Sequence, residues 1–310
     1  TYGFPLDLTE LLAREKNLSV DIDGFDESMR KQKERAKKSG RFINNPDTIE
    51  WVDITGGDDS IFLGYDSLES ESQVRRYAID NNQILILLDR TPFYAESGGQ
   101  IADKGTIIGN NLNLTVCDVK KDNDSFIHIC EGFIEEPIKK VVCKVDKAYR
   151  IPIRNNHTAT HLLHKALRSV LGDHVNQAGS LVHADYLRFD LTHFEKITDE
   201  EIARVESIVN SQINLNIELE VNIKSFDEAK KDGAEALFGE KYGDQVRVVQ
   251  VGDFSMELCG GTHVERTGDI GFFKIIEEAS LASGVRRIVA LTGHKALDLM
   301  QVHTGILNSS

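Results

Sequence analysis

The chain has 310 residues, 40% of them hydrophobic and 28% charged, and its formal net charge is −14. This composition excludes a disordered chain and indicates an ordinary globular protein with room for two or three domains. No apolar run approaches the roughly 18 to 20 residues that span a bilayer, and the acidic total gives no general attraction for nucleic acid. The sequence has no signal-peptide pattern and begins at Thr1 instead of Met, so we expect a cytoplasmic part of a longer protein with no membrane partner.

The first predicted element, residues 1–45, is a short helical segment, because leucines recur there at helical spacing. Within it, residues 30–41 carry seven basic side chains and one acid. Arg30 and Lys31 are therefore candidates for contact with RNA phosphate. The same stretch is also typical of a solvated helix face.

Short apolar and β-branched runs separated by Gly, Asn and Asp follow over residues 46–150. The runs are IFLGY, QILILLD, GTIIGNNLNLTVCDV, DSFIHIC and KKVVCKV. A spacing of roughly 8 to 12 residues with turn signals between the runs predicts a small antiparallel β-barrel. Three of the four cysteines lie in these runs, where we expect buried thiols and not a disulfide framework.

The pattern becomes mixed over residues 151–293. A helix is predicted over residues 156–171, and a second helix begins at TDEE, where Thr198 and Glu201 match a capping box. Strand-like runs and one further helix follow, so the region is predicted to be an α+β domain and not a doubly wound one. Residues 294–310 are predicted to begin a C-terminal linker helix.

The predicted helix over residues 156–171 contains the motif HTATHLLH. His157 and His161 lie opposite its apolar face and four residues apart, which lets both imidazoles reach one ion. By itself such a pair is also typical of a solvated helix face. A metalloprotease would need a glutamate directly after the first histidine, and that position is Thr158.

A second motif, ELCGGTH, places Cys259 four positions before His263. A thiolate and an imidazole on a glycine-rich turn add two ligands that suit Zn²⁺. With His157 and His161 they predict a four-ligand zinc site. Cys259 alone would be interpreted as a small buried hydrophobe, but that interpretation does not account for the glycines and His263 beside it.

Several motifs together resemble the alanyl-tRNA synthetase family. They follow that family's order from residue 1 to about residue 293: TYGFPLDLTE, TPFYAESGGQIADKG, HTATHLLH, NQAGSLVHADYLRFDLTH, FGEKYGDQVRVV, SMELCGGTHV and SGVRRIVALTG. The editing domain of threonyl-tRNA synthetase shares the two ligand pairs but is not expected to carry the first two motifs. A free-standing alanyl-tRNA editing protein, a further alternative, would share the barrel and the zinc domain but would usually lack the helical lead-in.

The resemblance implies that residues 1–45 end the tRNA-recognition region and that residues 151–293 form a zinc-dependent editing domain. It implies removal of serine or glycine wrongly attached to tRNA(Ala), with Zn²⁺ as cofactor. The aminoacylation core and the C-terminal domain would lie elsewhere in the full-length chain. Two other interpretations stay open: a non-catalytic zinc-stabilised tRNA-binding module, and a metal-dependent hydrolase of a small ester or amide.

Three residues are predicted to act in catalysis. The resemblance implies a place near the active site for Gln100, and Cys259 is expected to act as one ligand of a metal site that positions substrate and can exchange one of its ligands. A protein group that hydrogen-bonds the side-chain hydroxyl of serine would select serine, because alanine would leave that group unpaired. Thr160, which lies near the histidine stripe, is the candidate for this group. The motif GVRR places Arg286 and Arg287 on opposite strand faces, so at most one faces RNA; Arg286 is our candidate.

Overall fold

The structure is a computed structural model that describes residues 49–309, except 59, 124, 137 and 237–242, and scattered positions between 13 and 28. Trp51–Ser310 form one compact unit. Arg30, Lys31 and most of the predicted N-terminal helical segment lie outside the described residues, so these predictions stay predictions. Within the described part, no helix combines the length and apolar character needed to cross a membrane.

The first part of the compact unit is built from strands. They are β1 (Val52–Asp53), β2 (Ile61–Phe62), β3 (Glu69–Asp80), β4 (Gln83–Leu88), β5 (Arg90–Thr91), β6 (Gly105–Gly109), β7 (Leu112–Asp122), β8 (Ser125–Glu131) and β9 (Lys140–Val145). In the described residues six of them form an antiparallel barrel in the order β3-β4-β8-β7-β6-β9, which the pairing of β3 with β9 closes. The predicted barrel is confirmed.

Strand β3 is the longest barrel strand, and the sequence did not predict it. Its residues, ESESQVRRYAID, are mostly polar, and only Ser72, Val74 and Ala78 are buried. A bulge between Val74 and Arg76 interrupts its register with β4. The strand forms because its backbone pairs with both β4 and β9, a long-range cause that apolar content does not reveal.

The second part is α+β. Its elements are α1 (Lys147–Leu171), β10 (Gln177–Val182), β11 (Leu187–Thr192), α2 (Asp199–Asn214), β12 (Leu219–Ser225), α3 (Phe226–Lys231), β13 (Gln245–Val251), β14 (Ser255–Leu258), β15 (Phe273–Ala282), β16 (Val285–Thr292) and α4 (Gly293–Ser309). One antiparallel sheet has the order β10-β11-β16-β15 and another the order β12-β13-β14. The predicted capping box of Thr198 and Glu201 starts α2.

The apolar face of α1 packs into the core of this second part, with Leu162, Leu163 and Leu167 fully buried beside side chains from α2 and the four-stranded sheet. The opposite face of α1 points toward β14 and the turn that follows it. Helix packing on one side therefore fixes where the histidines on the other side lie.

Helix α1 begins nine residues before its predicted start. Proline lacks the N–H of a helical hydrogen bond and is uncommon in the interior of a helix. In the structure Pro152 lies inside the helix, and the Asp146 side chain caps it by accepting from Ala148 N at 2.9 Å. Arg150 in the first turns forms a buried ion pair with Asp103 of the barrel. This ion pair anchors the helix that carries the histidines to the barrel.

Candidate metal centre and adjoining cavity

The polar side of α1 is buried. His157, His161 and His164 are only 5%, 4% and 5% exposed. They are therefore not a solvated helix face, which was the alternative that the sequence left open. Imidazoles removed from water need partners, because an unpaired buried polar group costs about 1–3 kcal/mol.

The structure brings the four predicted ligands together. The Cys259 sulfur lies 3.3 Å from His157 Nε2 and 3.2 Å from His263 Nε2. With His161, all four candidate ligand atoms lie within 4.8 Å of one another. Tetrahedral zinc with bonds of about 2.0–2.3 Å places its ligand atoms roughly 3.3–3.8 Å apart. The four donors therefore fit a zinc ion in chemistry, and the two distances from Cys259 are close to this spacing.

Neighbouring side chains set the orientation of these imidazoles. His157 Nδ1 lies 2.7 Å from Gln100 Oε1, and His263 Nδ1 lies 3.1 Å from Thr158 Oγ1. Since an amide oxygen can only accept, His157 donates from Nδ1 and keeps a lone pair on Nε2, which faces Cys259. His161 Nδ1 lies 3.5 Å from Glu257 Oε2, which leaves its Nε2 for the ligand group.

Burial keeps the ligand imidazoles neutral. It lowers the pKa of His157 and of His263 well below the ordinary value, and the nearby histidines lower both further. Burial also lowers the pKa of His161, although the charge of Glu257 opposes the shift. A neutral imidazole is the form that binds a metal, so protons do not compete for these nitrogens near neutral pH.

The turn that carries Cys259 is held from two sides. Arg247 Nη1 donates to Cys259 O at 2.9 Å and to Gly261 O at 3.0 Å, and its guanidinium lies 4.1 Å from the centroid of the Tyr65 ring. The Tyr65 hydroxyl donates to Gly260 O at 2.6 Å. A Cβ atom at Gly261 would lie 2.0 Å from His157 Cε1, so only glycine allows this close approach.

A second buried cluster extends behind His161. His164 Nδ1 lies 3.1 Å from Glu257 Oε1 and 3.7 Å from Glu235 Oε2, and Arg168 also pairs with Glu235. Burial lowers the pKa of His164, but the hydrogen bond and charge of Glu257 outweigh it, so the net shift is upward. Burial alone would raise the pKa of Glu257, and the two histidines lower it instead. The cluster thus stabilises a buried carboxylate beside the ligand group.

A cavity of about 430 Å³ opens beside the ligand group. His157, His161 and Cys259 line it, together with Thr160, whose hydroxyl donates to Asn156 O at 2.8 Å and can still accept a hydrogen bond. The other lining residues are Tyr94, Ser97, Gly98, Lys121, Gln177, Ser180, Gly243, Gln245, Val246, Arg247, Glu257, Leu258, Gly260 and Gly261. The wall is mostly polar, which suits a polar substrate.

Gln100 and Arg286 occupy different positions from those of the lining residues. Gln100 is fully buried behind His157, where Thr262 N donates to its Oε1 at 2.9 Å. It reaches the site from the barrel, but it contacts a candidate ligand and not the cavity.

Arg286 on β16 donates from Nε to Glu278 Oε1 at 2.6 Å, with its side chain 13% exposed. Arg287 bonds Asp190 instead. The RNA contact of Arg286 stays a prediction.

Among the cavity residues that the sequence did not single out, two lie on one unpredicted strand. Gln177 and Ser180 lie on β10, a strand that the sequence did not predict. Their signal was present in the motif NQAGSLV, which contributes to the family resemblance. What was missing was the strand that brings this motif to the cavity wall.

Comparison with known families agrees with this geometry. The family model described as tRNA synthetases class II (A) matches residues 1–149. The model described as Threonyl and Alanyl tRNA synthetase second additional domain matches residues 246–289, which include Cys259 and His263. The two matches place the chain among the class II aminoacyl-tRNA synthetases.

Curated relatives narrow this class to one family. The chain is 50% identical to the alanine–tRNA ligase of Cytophaga hutchinsonii over 96% of its own length and 34% of the relative. It is 45% identical to that of Thermoanaerobacter pseudethanolicus over all of its length and 37% of the relative, and 48% identical to that of Bacteroides fragilis over 97% and 34%. The chain belongs to the alanyl-tRNA synthetase family and spans about a third of the length of these relatives.

Proposed function

We propose that this chain proofreads aminoacylation by hydrolysing the ester that joins serine or glycine to the terminal ribose of tRNA(Ala). One observation carries the proposal: three metal-ligand side chains and Thr160 line a single polar cavity. The match to the second additional domain of threonyl and alanyl synthetases supports it, because the match includes the Cys259–His263 turn. The cellular site would be the cytoplasm.

The ligand group would hold Zn²⁺, which when bound acts as a Lewis acid toward an ester carbonyl or lowers the pKa of a water molecule. Gln100 and Thr158 hold the rings of His157 and His263 with Nε2 toward Cys259. Cys259 is half-buried and borders the cavity, whereas His263 is buried and does not. We infer that Cys259, His157 and His161 face the substrate and that His263 holds the metal from behind.

Thr160 would select serine over alanine. Its hydroxyl hydrogen is already donated to Asn156 O, so the oxygen is left to accept a hydrogen bond from the serine hydroxyl. Alanine has no such donor and would leave this buried oxygen unpaired, which disfavours its binding. Glycine also lacks the hydroxyl, so Thr160 would act on serine alone.

The partner would be tRNA(Ala), since the curated relatives are alanine–tRNA ligases. With a net charge of −14, binding must depend on local basic groups. Arg30, Lys31 and Arg286 are proposed as such groups. The remaining synthetase domains of the full-length relatives would supply further tRNA contacts.

A deacylation assay tests the proposal. The purified chain is incubated with tRNA(Ala) charged with serine, glycine or alanine, and ester loss above the spontaneous rate is measured. Serine and glycine should be released and alanine retained. Cys259→Ala should reduce release to the spontaneous rate, while Cys117→Ala, which removes a half-buried thiol away from the cavity, should retain it. Equal release of serine and alanine, or an active Cys259→Ala variant, would refute the proposal.

A second candidate function is a tRNA-binding module in which zinc only stabilises the fold. Four protein ligands are typical of structural zinc sites, and here four candidate ligand atoms converge. This alternative predicts unfolding when the metal is removed and no ester hydrolysis in its presence. Catalytic zinc instead requires a ligand that can leave or an expanded coordination shell.

A further inference from the structure

The barrel supplies part of the rim of the cavity. Gly98 and Lys121 line it from the barrel side, across from the ligand group on α1. The segment that leads to Gly98 lies beside the end of β7, because Glu96 N donates to Val119 O at 3.1 Å. The turn and the C-terminal end of β7 therefore form one continuous edge of the cavity.

Lys121 differs from the preceding residue, Lys120, in its ion pairs. Lys120 forms ion pairs with Glu96 and Asp118. Lys121 is exposed, and among the residues that the structure describes it has no carboxylate partner; its Nζ lies 5.7 Å from the centroid of the Phe126 ring. A cation above an aromatic face keeps its charge and its N–H donors available to a ligand.

The turn beside Lys121 offers a further donor. Gly98 and Gly99 both have positive φ, at 57° and 82°, and Gln100 N donates to Ser97 O at 2.9 Å to close the turn. This is the left-handed geometry that glycine permits in two-residue turns. In the described part of the chain the backbone N–H of Gly98 makes no hydrogen bond. Free backbone N–H groups in turns are common partners of phosphate oxygens.

The charges around the cavity favour an anion at this edge. Among the residues that the structure describes, the cations that line it are Lys121 and Arg247, and the carboxylate that lines it, Glu257, is engaged with His161 and His164. At this edge the charge of Lys120 is balanced by Glu96 and Asp118, whereas Lys121 forms no ion pair with a described residue. An RNA phosphate is attracted by such a local group even when the whole protein is acidic.

We propose that Lys121 and the N–H of Gly98 bind the phosphodiester that precedes the aminoacylated terminal ribose. The inference rests on the proposed hydrolysis, because the ester and this phosphate belong to the same nucleotide. When the ester lies at the ligand group, the phosphate lies on the other side of the same ribose. Lys121 is then a positioning residue. It gives RNA-linked esters an advantage over small esters of the same amino acid.

Paired substrates test the role of Lys121. One is tRNA(Ala) charged with serine, and the other is the 3′-seryl ester of adenosine, which lacks the phosphate. Lys121→Ala should raise the KM for the RNA substrate about tenfold relative to the KM for the adenosine ester. It should also reduce the slope of log KM against log salt concentration by about 0.7, the value for one phosphate contact to a single strand. Lys121→Arg should restore both. Lys140→Ala, an exposed lysine on β9 outside the cavity, is the matched control.

Binding of a non-hydrolysable RNA hairpin, with serine attached to its end through an amide, separates this inference from the proposed function. If no variant hydrolyses esters, the proposed function fails, yet Lys121→Ala must still weaken hairpin binding and lower its salt slope relative to Lys140→Ala. Equal KM changes for both ester substrates, or an unaltered salt slope, would overturn the role of Lys121.

Discussion

Buried histidines in two regions of this molecule differ in how completely they are paired. In the barrel, His128 lies 3.0 Å from Ile86 O through Nδ1 and 2.7 Å from Thr91 Oγ1 through Nε2, so both ring nitrogens are satisfied. On α1, His161 Nδ1 and His164 Nε2 have no hydrogen-bond partner in the described part of the chain. All three histidines are buried.

The difference separates structural from functional polar groups. Arg150 is paired as fully as His128, since it bonds Asp103, Gly64 O at 2.8 Å and Pro92 O at 3.0 Å. Such groups only have to hold the fold. The unpaired nitrogens on α1 belong to His161, a candidate ligand, and to His164 behind it, and an unpaired buried nitrogen costs free energy. In the ligand group itself, Nε2 of His157 and Nε2 of His263 face Cys259.

The largest expected effect on stability is at the barrel junction. Arg150→Met would leave Asp103 buried without its cation, and loss of one partner of a buried pair costs about 3–5 kcal/mol. Urea unfolding measures the change. Lys144→Met removes an exposed pair with Glu69, at 3.5 Å, and should cost less than about 1 kcal/mol. Similar losses in the two variants would contradict the assignment of Arg150 as the anchor of α1.

The next largest effect is expected at the ligand turn. Gly261→Ala would place a Cβ atom 2.0 Å from His157 Cε1, which displaces this ligand. A displacement of about 1 Å can cost about 100-fold in rate, so we expect such a loss of serine release together with weaker zinc binding. Gly260→Ala meets no described atom closer than the Tyr65 hydroxyl at 4.0 Å and should lose far less. Equal losses would mean that His157 can move without consequence.

The pH dependence of stability should report on His128. Burial lowers the pKa of His128 to about 4, from an ordinary value near 6.5. The folded state therefore binds fewer protons, and the stabilising contribution, complete above pH 6.5, is lost as pH falls toward 4. His128→Gln should reduce the difference in unfolding free energy between pH 7.5 and pH 5 by about 2 kcal/mol. The exposed His174 provides a control, because His174→Gln should leave that difference nearly as large as in the wild type.

The smallest expected effect concerns selectivity. Thr160→Val keeps the shape of the side chain but removes the oxygen that would accept from serine, so kcat/KM for serine-charged tRNA(Ala) should fall about tenfold, roughly the value of one hydrogen bond. Glycine-charged tRNA(Ala) should change much less. Thr160→Ser, which keeps the oxygen, should restore most of the serine activity. An equal fall in kcat/KM for the serine-charged and glycine-charged substrates would mean that Thr160 stabilises the fold and does not select serine.

The ligand group was predictable because its spacing is local: a helix fixes His157 relative to His161, and one turn fixes Cys259 relative to His263. The partners that orient these rings were less accessible. Gln100 is 57 positions from His157, and Thr158 is 105 positions from His263. Only the family resemblance indicated a role for Gln100. Long-range pairing, which no local pattern encodes, decides such contacts.

The elements of the fold that the sequence predicted likewise depend on local patterns, and those that it did not predict depend on long-range pairing. Regularly spaced apolar runs, among them those of β4 and β7, predicted the barrel, whereas β3 forms from a polar sequence through pairing on both sides. Arg286 was expected to face RNA from its strand position alone. Its partner Glu278 comes from β15, whose register with β16 is broken by bulges. Bulges shift side chains between faces, so strand alternation could not locate that ion pair.

The most direct test of the central contrast is serine release by protein freed of its metal. Zinc is removed with a chelator, folding is followed by circular dichroism, and hydrolysis of serine-charged tRNA(Ala) is measured as zinc is added back. The account predicts a metal-free protein that remains folded, releases no serine and recovers fully at one zinc per chain. Unfolding on metal removal, or hydrolysis that persists without zinc, would contradict it.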